Sequence, residues 1–300
     1  MTLYIKYHRT ATILEEFQIF GQLRFAGLND AIAHKITTKI IKKMSKESSV
    51  DNPISIQTVM EETAKLIPNK DAKKIFSQVS NFYQRAWSGQ LKEPLFIFIG
   101  GSSTTGKDTL ATALKENLGI DRLENTDNLR ERVRVKIRTH YKTIPKRFEK
   151  LFQPTYLAGI DGFKQQCAHV NEELIEWIKY SKAESKTYMH PIYIVVGINL
   201  DPLEFNKINR ITKNNLFVMV DLPREILKSR IIARQERELG KYSKQGHKKS
   251  SELADASYKI QEYLLKASKQ TNTPIIKATS KEEVMQKFAK VFAKSLLDIC

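Results

Sequence analysis

Residues 95–109 read Leu-Phe-Ile-Phe-Ile-Gly-Gly-Ser-Ser-Thr-Thr-Gly-Lys-Asp-Thr, a short apolar run followed by a loop of small residues. The five apolar residues are typical of a fully buried strand. From Gly101 the spacing is G-x-x-x-x-G-K, in which backbone N–H groups surround phosphate oxygens and the lysine reaches the β- and γ-phosphates. Leu110, Leu114 and Leu118 then recur at helical spacing, and a helix N-terminus favours an anion. This order of strand, loop and helix predicts a phosphate-binding loop.

The loop is therefore expected to bind ATP, and one of its residues departs from the usual motif. Asp108 follows the lysine, where Ser or Thr usually supplies a hydroxyl to Mg²⁺. A carboxylate beside a triphosphate is repulsive unless a cation lies between them. We therefore predict that Asp108 binds Mg²⁺ and that Thr109 bonds a phosphate. The alternative interpretation is a tight turn between strand and helix. The predicted nucleotide-binding residues are Gly101, Ser102, Ser103, Thr104, Thr105, Gly106, Lys107, Asp108 and Thr109.

Composition narrows the class of partner. The 300 residues include 50 Lys and Arg against 33 Asp and Glu, so the net charge is +17. This excess favours anionic partners such as nucleotides and phosphorylated metabolites. Nucleic acid is an unfavoured partner, because no base-reading motif is present. The two cysteines offer neither a disulfide framework nor zinc spacing, and no apolar run is long enough to span a bilayer. We expect a cytoplasmic protein without a signal peptide or membrane anchor.

The chain divides at a polar linker, residues 88–94. Before it, helical patterning at 13–20, 31–44 and 71–87, with Ser55 as a cap for a further helix, predicts a small helical domain over residues 1–90. A short strand is expected within 2–8. After it, predicted strands at 120–124, 191–196, 216–220 and 274–278 alternate with helices. Such alternation predicts an α/β kinase-type domain over 91–300, a parallel sheet with helices on both faces.

Two kinds of charged residue are expected near the acceptor of the phosphoryl group. Asp127 follows the second strand of the sheet, where open α/β sheets bind ligands, and is predicted to act as the general base or to orient the acceptor. It could equally cap the next helix. Arg130 and Arg134 share one helical stripe in the run 130–138, whose alternating valines also fit a strand. We predict a helix, with both arginines binding an anionic acceptor. The alternative is a solvated basic face.

The later segments suggest a lid and further acids. Small-molecule kinases need a mobile, arginine-bearing lid that excludes water. The helix from residue 224 with Arg230 and Arg234, followed by 240–249, fits this role, and a disordered basic loop is the alternative. Asp201 and Asp221 follow the next two strands. Either one could assist the metal, and either could be a turn or cap residue.

The order of these motifs resembles the archaeal-type 2-phosphoglycerate kinase family over about residues 95–280. The similar stretches are 100–107, 126–131 (Thr-Asp-Asn-Leu-Arg-Glu), 162–167 (Gly-Phe-Lys-Gln-Gln-Cys), 195–202, 230–234, 259–264 and 273–276. The resemblance implies a P-loop NTPase fold and transfer of phosphate from ATP to 2-phosphoglycerate. It implies roles for Lys107 at the β/γ-phosphates and Asp127 at the acceptor hydroxyl, with Arg230 and Arg234 in the lid.

The sequence departs from the family pattern at positions expected near the metal and the substrate. Val196 stands where the family has an acidic residue, and Asn199 where it has a histidine; Asp108 replaces the loop hydroxyl. The N-terminal region faintly resembles the ATP-cone module that precedes such kinases. The leading hypothesis is an ATP- and Mg²⁺-dependent kinase whose acceptor carries phosphate or carboxylate. The alternative is a catalytically weak nucleotide-binding regulatory protein.

Overall fold

The computed structural model describes residues 2–7, 10–188, 191–239, 244–277 and 279–299. The N-terminal region carries short strands as well as the expected helices. Its elements are β1 (Tyr4–Tyr7), β2 (Thr10–Ile13), α1 (Glu16–Phe25), α2 (Asp30–Met44), β3 (Ile54–Ser55), α3 (Ile56–Lys65) and α4 (Lys70–Trp87). The strands form a small sheet in the order β2-β1-β3. The expectation of β1 and of a helix after Ser55 is confirmed, whereas β2 and β3 were not predicted.

The second region holds the larger sheet. Its elements are β4 (Leu95–Gly100), α5 (Lys107–Leu118), β5 (Leu123–Asn125), α6 (Thr126–His140), α7 (Glu149–Phe152), α8 (Gly159–Tyr188), β6 (Ile192–Gly197), α9 (Phe205–Asn209), β7 (Asn215–Asp221), α10 (Arg224–Leu239), α11 (Lys244–Gln270), β8 (Ile275–Lys277) and α12 (Lys281–Ile299). The five strands run in the order β5-β6-β4-β7-β8, and each adjacent pair is parallel. The predicted P-loop α/β fold is confirmed.

Strand β4 lies at the centre of this sheet because every one of its side chains is apolar and buried. Its alternate residues face two different apolar clusters, as the period of two requires. Leu95, Ile97 and Ile99 join a cluster with α5, α12 and the N-terminal region, while Phe96 and Phe98 pack with α8 and α11. The carboxyl end of β4 leads into the phosphate-binding loop, so that loop starts from the middle of the sheet.

The N-terminal region packs directly on the helix that follows the loop. A Cβ on Gly21 would lie 2.2 Å from the Asn117 carbonyl oxygen, so the close contact of α1 and α5 requires glycine there. Phe25 packs edge to face against Phe288 and Phe292 of α12, at centroid distances of 6.3 and 5.5 Å. Residues on both sides of the 88–94 linker thus share one apolar cluster.

Two predicted elements begin three residues later in the structure than expected. The helix expected at 13–20 begins only at Glu16, because Ile13 belongs to β2 and Glu15 forms a capping box with Gln18. The strand expected at 120–124 is displaced to Leu123–Asn125. Gly119 ends α5 in a left-handed conformation, and the Ile120 N–H bonds back to Lys115. The ambiguous run at 130–138 is helical, as predicted. Among the described helices, none combines the length and apolarity needed to cross a membrane.

Candidate active site

The phosphate-binding loop connects β4 to α5 through two glycines that other residues could not replace without strain. Gly101 has φ +151°, and a Cβ there would lie 2.6 Å from Thr105 Oγ1 and 2.9 Å from the Val220 carbonyl oxygen. Gly106, at φ +96°, directly precedes the first turn of α5. The loop therefore ends at the amino end of a 12-residue helix, where backbone N–H groups and the helix dipole favour an anion.

Two buried hydroxyl groups of the loop lack hydrogen-bond partners among the described residues. They are Ser102 Oγ and Thr104 Oγ1. Thr104 also has φ +64°, a left-handed conformation that is unusual for a β-branched residue. By contrast, Thr105 Oγ1 donates to the Ser102 carbonyl oxygen at 3.0 Å and stabilises the turn. Unpartnered buried hydroxyls and a strained backbone are features that cluster at functional sites.

Lys107 and Asp108 form an ion pair at the amino end of α5. Lys107 Nζ lies 2.9 Å from Asp108 Oδ2; the lysine side chain is 9% exposed and the aspartate side chain 60%. The Asp108 carboxylate is therefore open to a cation from solvent. Thr109 is also exposed in the first turn of α5.

The arrangement fits Mg²⁺ but not a cation held by protein alone. Within the described residues, no three His, Cys, Asp or Glu side chains come together as a metal site. Mg²⁺ usually takes only one or two carboxylates and completes its octahedron with substrate phosphates and water. A single exposed carboxylate next to the loop lysine meets that minimal requirement.

A cavity of about 340 Å³ opens beside the loop. Its lining includes Ser103 of the loop, Asp127 and Arg130 of α6, and Arg234 of α10. Four residues singled out in the sequence, from three separate segments of the chain, therefore meet at one place. The cavity offers a carboxylate and two guanidinium groups next to the position expected for the nucleotide phosphates.

Arg130 is held in its place by several side chains. Its Nη2 lies 3.2 Å from Asp127 Oδ1, and its Nη1 donates to Thr155 Oγ1 and, at 3.4 Å, to Gln166 Oε1. Its side chain is 14% exposed. Burial lowers the pKa of Arg130, and the Asp127 charge opposes this shift. A guanidinium group nevertheless stays charged at neutral pH. Arg130 is thus a preorganised cation at the cavity wall.

Asp127 lies in the first turn of α6 with its side chain 61% exposed. The cap of that helix is Asn125, whose side chain accepts the Asp127 N–H at 2.8 Å. The Asp127 carboxylate is therefore not used as a cap. Among the ion pairs of the described residues, the Asp127 carboxylate takes part only in the one with Arg130. Asp127 also lines the cavity.

The other three predicted arginines differ in position. Arg234 Nη1 donates to Ser103 Oγ at 3.3 Å and so links α10 to the loop. Arg134 donates to the Leu151 carbonyl oxygen at 2.9 Å and pairs with Glu131, away from the cavity lining. Arg230 donates to the Thr279 carbonyl oxygen at 3.0 Å, also away from that lining. Of the predicted lid segment, residues 240–243 lie outside the described residues; 244–249 are the start of α11, and their side chains are not described.

The two later aspartates are buried and hydrogen-bonded. Asp201 accepts from Tyr263 Oη at 2.7 Å and from the Leu203 N–H at 3.0 Å. Asp221 accepts from Gln261 Nε2 at 3.2 Å. Burial raises the pKa of both carboxyl groups above the ordinary value. Asp201 thus caps the turn at 202–204, one of the two roles left open by the sequence.

The end of β6 shows what stands at the two positions that depart from the family pattern. Val196 is buried in the apolar cluster that α5 and α12 share. Asn199 is fully buried, and both polar atoms of its side chain lack a partner among the described residues. Between them, a Cβ on Gly197 would lie 1.8 Å from Thr126 Oγ1. The close approach of β6 and α6 at Gly197 brings the start of α6, and with it Asp127, to the cavity.

Sequence reasoning missed two residues that organise the site. Gln166 accepts from Arg130 and Thr155, and its amide donates to the Lys150 and Gln153 carbonyl oxygens at 2.6 and 3.0 Å. Gln261 bonds the loop itself. Both are fully buried on long helices. Both also lie in stretches that resemble the kinase family, 162–167 and 259–264, and this was the available signal.

The amino-acid sequence of the chain is similar to those of several kinases. The 2-phosphoglycerate kinase of Pyrococcus furiosus is 29% identical over 292 residues, which cover 90% of this chain and 87% of that protein. The chain is a divergent relative of the archaeal 2-phosphoglycerate kinases. The enzymes of that name from Pyrococcus horikoshii and Methanococcus maripaludis are each 26% identical, over 91% and 67% of this chain and 87% and 65% of theirs. No family model matches the chain.

Among solved structures, a shikimate kinase from Bacteroides thetaiotaomicron is similar at a TM-score of 0.37 and 17% identity. It covers 66% of this chain and 98% of its own. The fold class stands on the strand order and the loop, while the similarity to the 2-phosphoglycerate kinases stands on sequence.

Proposed function

We propose that the protein transfers the γ-phosphoryl group of ATP to a small metabolite that carries phosphate or carboxylate, with 2-phosphoglycerate as the first acceptor to test. The observation that carries the proposal is the cavity beside the loop, with Asp127, Arg130 and Arg234 on its wall. The names of the relatives support the same chemistry. Because the proposed reaction uses ATP, we expect the protein to act in the cytoplasm.

In this proposal catalysis comes mainly from positioning and electrostatics, as is general for phosphoryl transfer. Lys107 and the N–H groups at the start of α5 bind the β- and γ-phosphates. Arg234, already bonded to the loop through Ser103, neutralises charge on the transferring group. Arg230 has the same proposed lid role from one turn earlier in α10. Asp108 is the proposed protein ligand of Mg²⁺, which would offset the negative charge of the phosphates.

The acceptor is proposed to lie in the cavity with its anionic group on Arg130. Guanidinium groups bind phosphate and carboxylate in bidentate fashion. Asp127 would then accept the proton of the acceptor hydroxyl or orient it toward the γ-phosphate. Arg134 is the weaker candidate for acceptor binding, because Glu131 and the Leu151 carbonyl oxygen already engage it.

The role of Asp108 can be tested through metal dependence. We expect Asp108→Ser to shift the Mg²⁺ concentration for half-maximal activity, because an uncharged hydroxyl replaces the negatively charged carboxylate. The shift should leave the maximal rate at saturating metal within a few-fold of the wild type. An unchanged Mg²⁺ dependence would contradict the assignment of Asp108 as the metal ligand.

A catalytically weak regulatory protein is the second candidate. It is favoured by Val196, whose apolar side chain is buried at the position where the related kinases are expected to have an acid. Residues 1–90, proposed as an ATP-cone-like accessory domain, would then transmit the nucleotide state. The signature of this candidate is ATP binding without transfer to any acceptor.

The deciding experiment measures transfer from γ-labelled ATP, with Mg²⁺, to a panel of phosphorylated and carboxylated metabolites that includes 2-phosphoglycerate. The kinase proposal expects one labelled acceptor in the wild type. We expect Lys107→Ala to lose about 10²- to 10³-fold in rate, the typical cost of removing one group that stabilises transition-state charge. Slow ATP hydrolysis that no acceptor accelerates would overturn the kinase proposal.

A further inference from the structure

Gln261 is a fully buried polar residue in the middle of α11, 159 positions from the loop residue it bonds. Its Oε1 accepts the backbone N–H of Ser102 at 2.8 Å. Its Nε2 donates to the Val220 carbonyl oxygen at 3.1 Å and to Asp221 Oδ1 at 3.2 Å. One side-chain amide therefore joins the phosphate-binding loop to the carboxyl end of β7.

The junction is specific for an amide. It needs an acceptor on one side and a donor of two hydrogens on the other, and glutamine supplies both. A carboxylate would face the Val220 carbonyl oxygen and the Asp221 carboxylate. An apolar side chain would leave the Ser102 N–H and the Val220 carbonyl oxygen unpartnered in a buried position, which is costly. A Cβ on Gly101, next to Ser102, would lie 2.9 Å from the Val220 carbonyl oxygen, so this end of the loop has no room for a larger residue.

The helix that carries Gln261 also reaches the acceptor cavity. Leu253 and Ser257 of α11 line that cavity, and Ser257 lies one turn before Gln261 on the same face. Lys228 of α10 pairs with Asp255 of α11, and α10 carries Arg234, which bonds Ser103. The α10 and α11 pair therefore contacts the loop at two successive residues, once from each helix.

We propose that Gln261 is a positioning residue that holds the phosphate-binding loop in its nucleotide-binding form, from the helix that lines the acceptor cavity. The inference rests on the proposed function, because it assumes that the loop binds ATP. Gln261 need not touch the nucleotide. It fixes the Ser102 amide near the start of the loop, which lowers the cost of ordering the remaining N–H groups when the phosphates bind.

The test compares two variants of the same helix in the full-length protein. Gln261→Leu keeps the approximate volume and removes the junction. Ser268→Ala is the matched control, because Ser268 is equally buried on α11 but, among the described residues, its hydroxyl bonds only the Leu264 carbonyl oxygen of its own helix. Calorimetric titration with MgATP gives the stoichiometry and the Kd separately, so a loss of folded protein lowers the first and a misplaced loop raises the second.

We expect Gln261→Leu to raise the Kd for MgATP about tenfold at unchanged stoichiometry, the size expected when hydrogen bonds that order a binding loop are lost. The Kd of Ser268→Ala for MgATP should stay within about twofold of the wild-type Kd. A Kd for Gln261→Leu equal to that of Ser268→Ala would overturn the inference.

If Gln261→Leu does not fold, Gln261→Glu decides, because it keeps the length and the acceptor for Ser102 but sets a carboxylate against Asp221. A raised Kd at unchanged stoichiometry supports the inference, and a wild-type Kd overturns it. The experiment is also separate from the transfer assay. A wild type that binds no MgATP removes both proposals, whereas a wild type that binds and transfers, with an unchanged Gln261→Leu, removes only this one.

Discussion

The two faces of the five-stranded sheet are packed in different ways. On one face Leu95, Ile97 and Ile99 meet α5, α12 and the N-terminal region, and the aromatic rings of Phe25, Phe288 and Phe292 close the contact. The other face has an apolar cluster too, but its helices also carry the buried polar side chains that reach the loop and the cavity, among them Gln166 and Gln261.

The unpartnered polar atoms follow the same division. Among the described side chains, buried N and O atoms without a hydrogen-bond partner occur from Ser102 onward, and none occurs in 2–6 or 12–99. Several belong to the loop, the cavity and the end of β6. Each such atom costs stability, and natural proteins tolerate them mainly at functional sites. The apolar face therefore sets the stability of the fold, and the polar face gives up stability for a site.

The largest expected effect separates activity from stability on the polar face. Asp127→Asn should lower kcat by about 10²- to 10⁴-fold, the range typical of a lost general base. Its exposed carboxylate contributes little to stability, so the free energy of unfolding should change by less than about 1 kcal/mol. Steady-state kinetics gives the change in kcat, and urea unfolding of the same samples gives the change in the free energy of unfolding. A wild-type kcat would remove Asp127 from the chemistry.

The apolar face should show the reverse pattern. Phe25→Ala leaves a cavity between the N-terminal region and α12, and should cost about 3–5 kcal/mol in the free energy of unfolding. Its Kd for MgATP should equal that of the wild type at a temperature where the variant is folded. If the Kd rises at unchanged stoichiometry, the two faces are coupled, and the separation of stability on one face from nucleotide binding on the other is wrong.

The smallest expected effect is a pH slope from Asp221. Because burial raises its pKa above 3.8, the folded protein holds this proton more tightly than the unfolded chain does. Ionisation of Asp221 therefore costs stability as pH rises from 3.8 through the folded-state pKa. Asp221→Asn removes that cost. The free energy of unfolding of this variant should therefore rise relative to that of the wild type as pH increases through this range.

Asp255 provides a control of opposite sign for the pH measurement. Its hydrogen bond with Lys228 lowers its pKa, so it contributes stability above 3.8 that is lost as pH falls through its folded-state pKa. The free energy of unfolding of Asp255→Asn should therefore fall relative to that of the wild type as pH rises. Parallel pH slopes for the two variants would contradict the assigned shifts.

The sequence predicted the loop, the class of sheet and the convergence of Asp127, Arg130 and Arg234, because these depend on local spacing and on the rule that ligands bind at the carboxyl ends of parallel strands. It could not predict the contacts that depend on the tertiary structure. Arg134 shares a helical stripe with Arg130, yet Glu131 and Leu151 engage it away from the cavity.

Gln261 illustrates the limit most clearly. It lies in the stretch 259–264 that resembles the kinase family, but the local sequence does not show that its side chain is buried, and its three partners lie in two distant segments. The short strand β3 was missed for a related reason. Its two residues pair with β1, and only that long-range pairing makes them a strand.

The central claim is that the acceptor binds in the cavity at Arg130, and the KM for the acceptor tests it most directly. Arg130→Gln is compared with Arg134→Gln, one turn further along the same helix. We expect the first to raise the KM for the acceptor about 10- to 100-fold, the effect of losing a charge-assisted bond, with the KM for ATP unchanged. The second should leave both KM values within about twofold. Equal increases in the two variants, or an increase in the KM for ATP alone, would contradict the account.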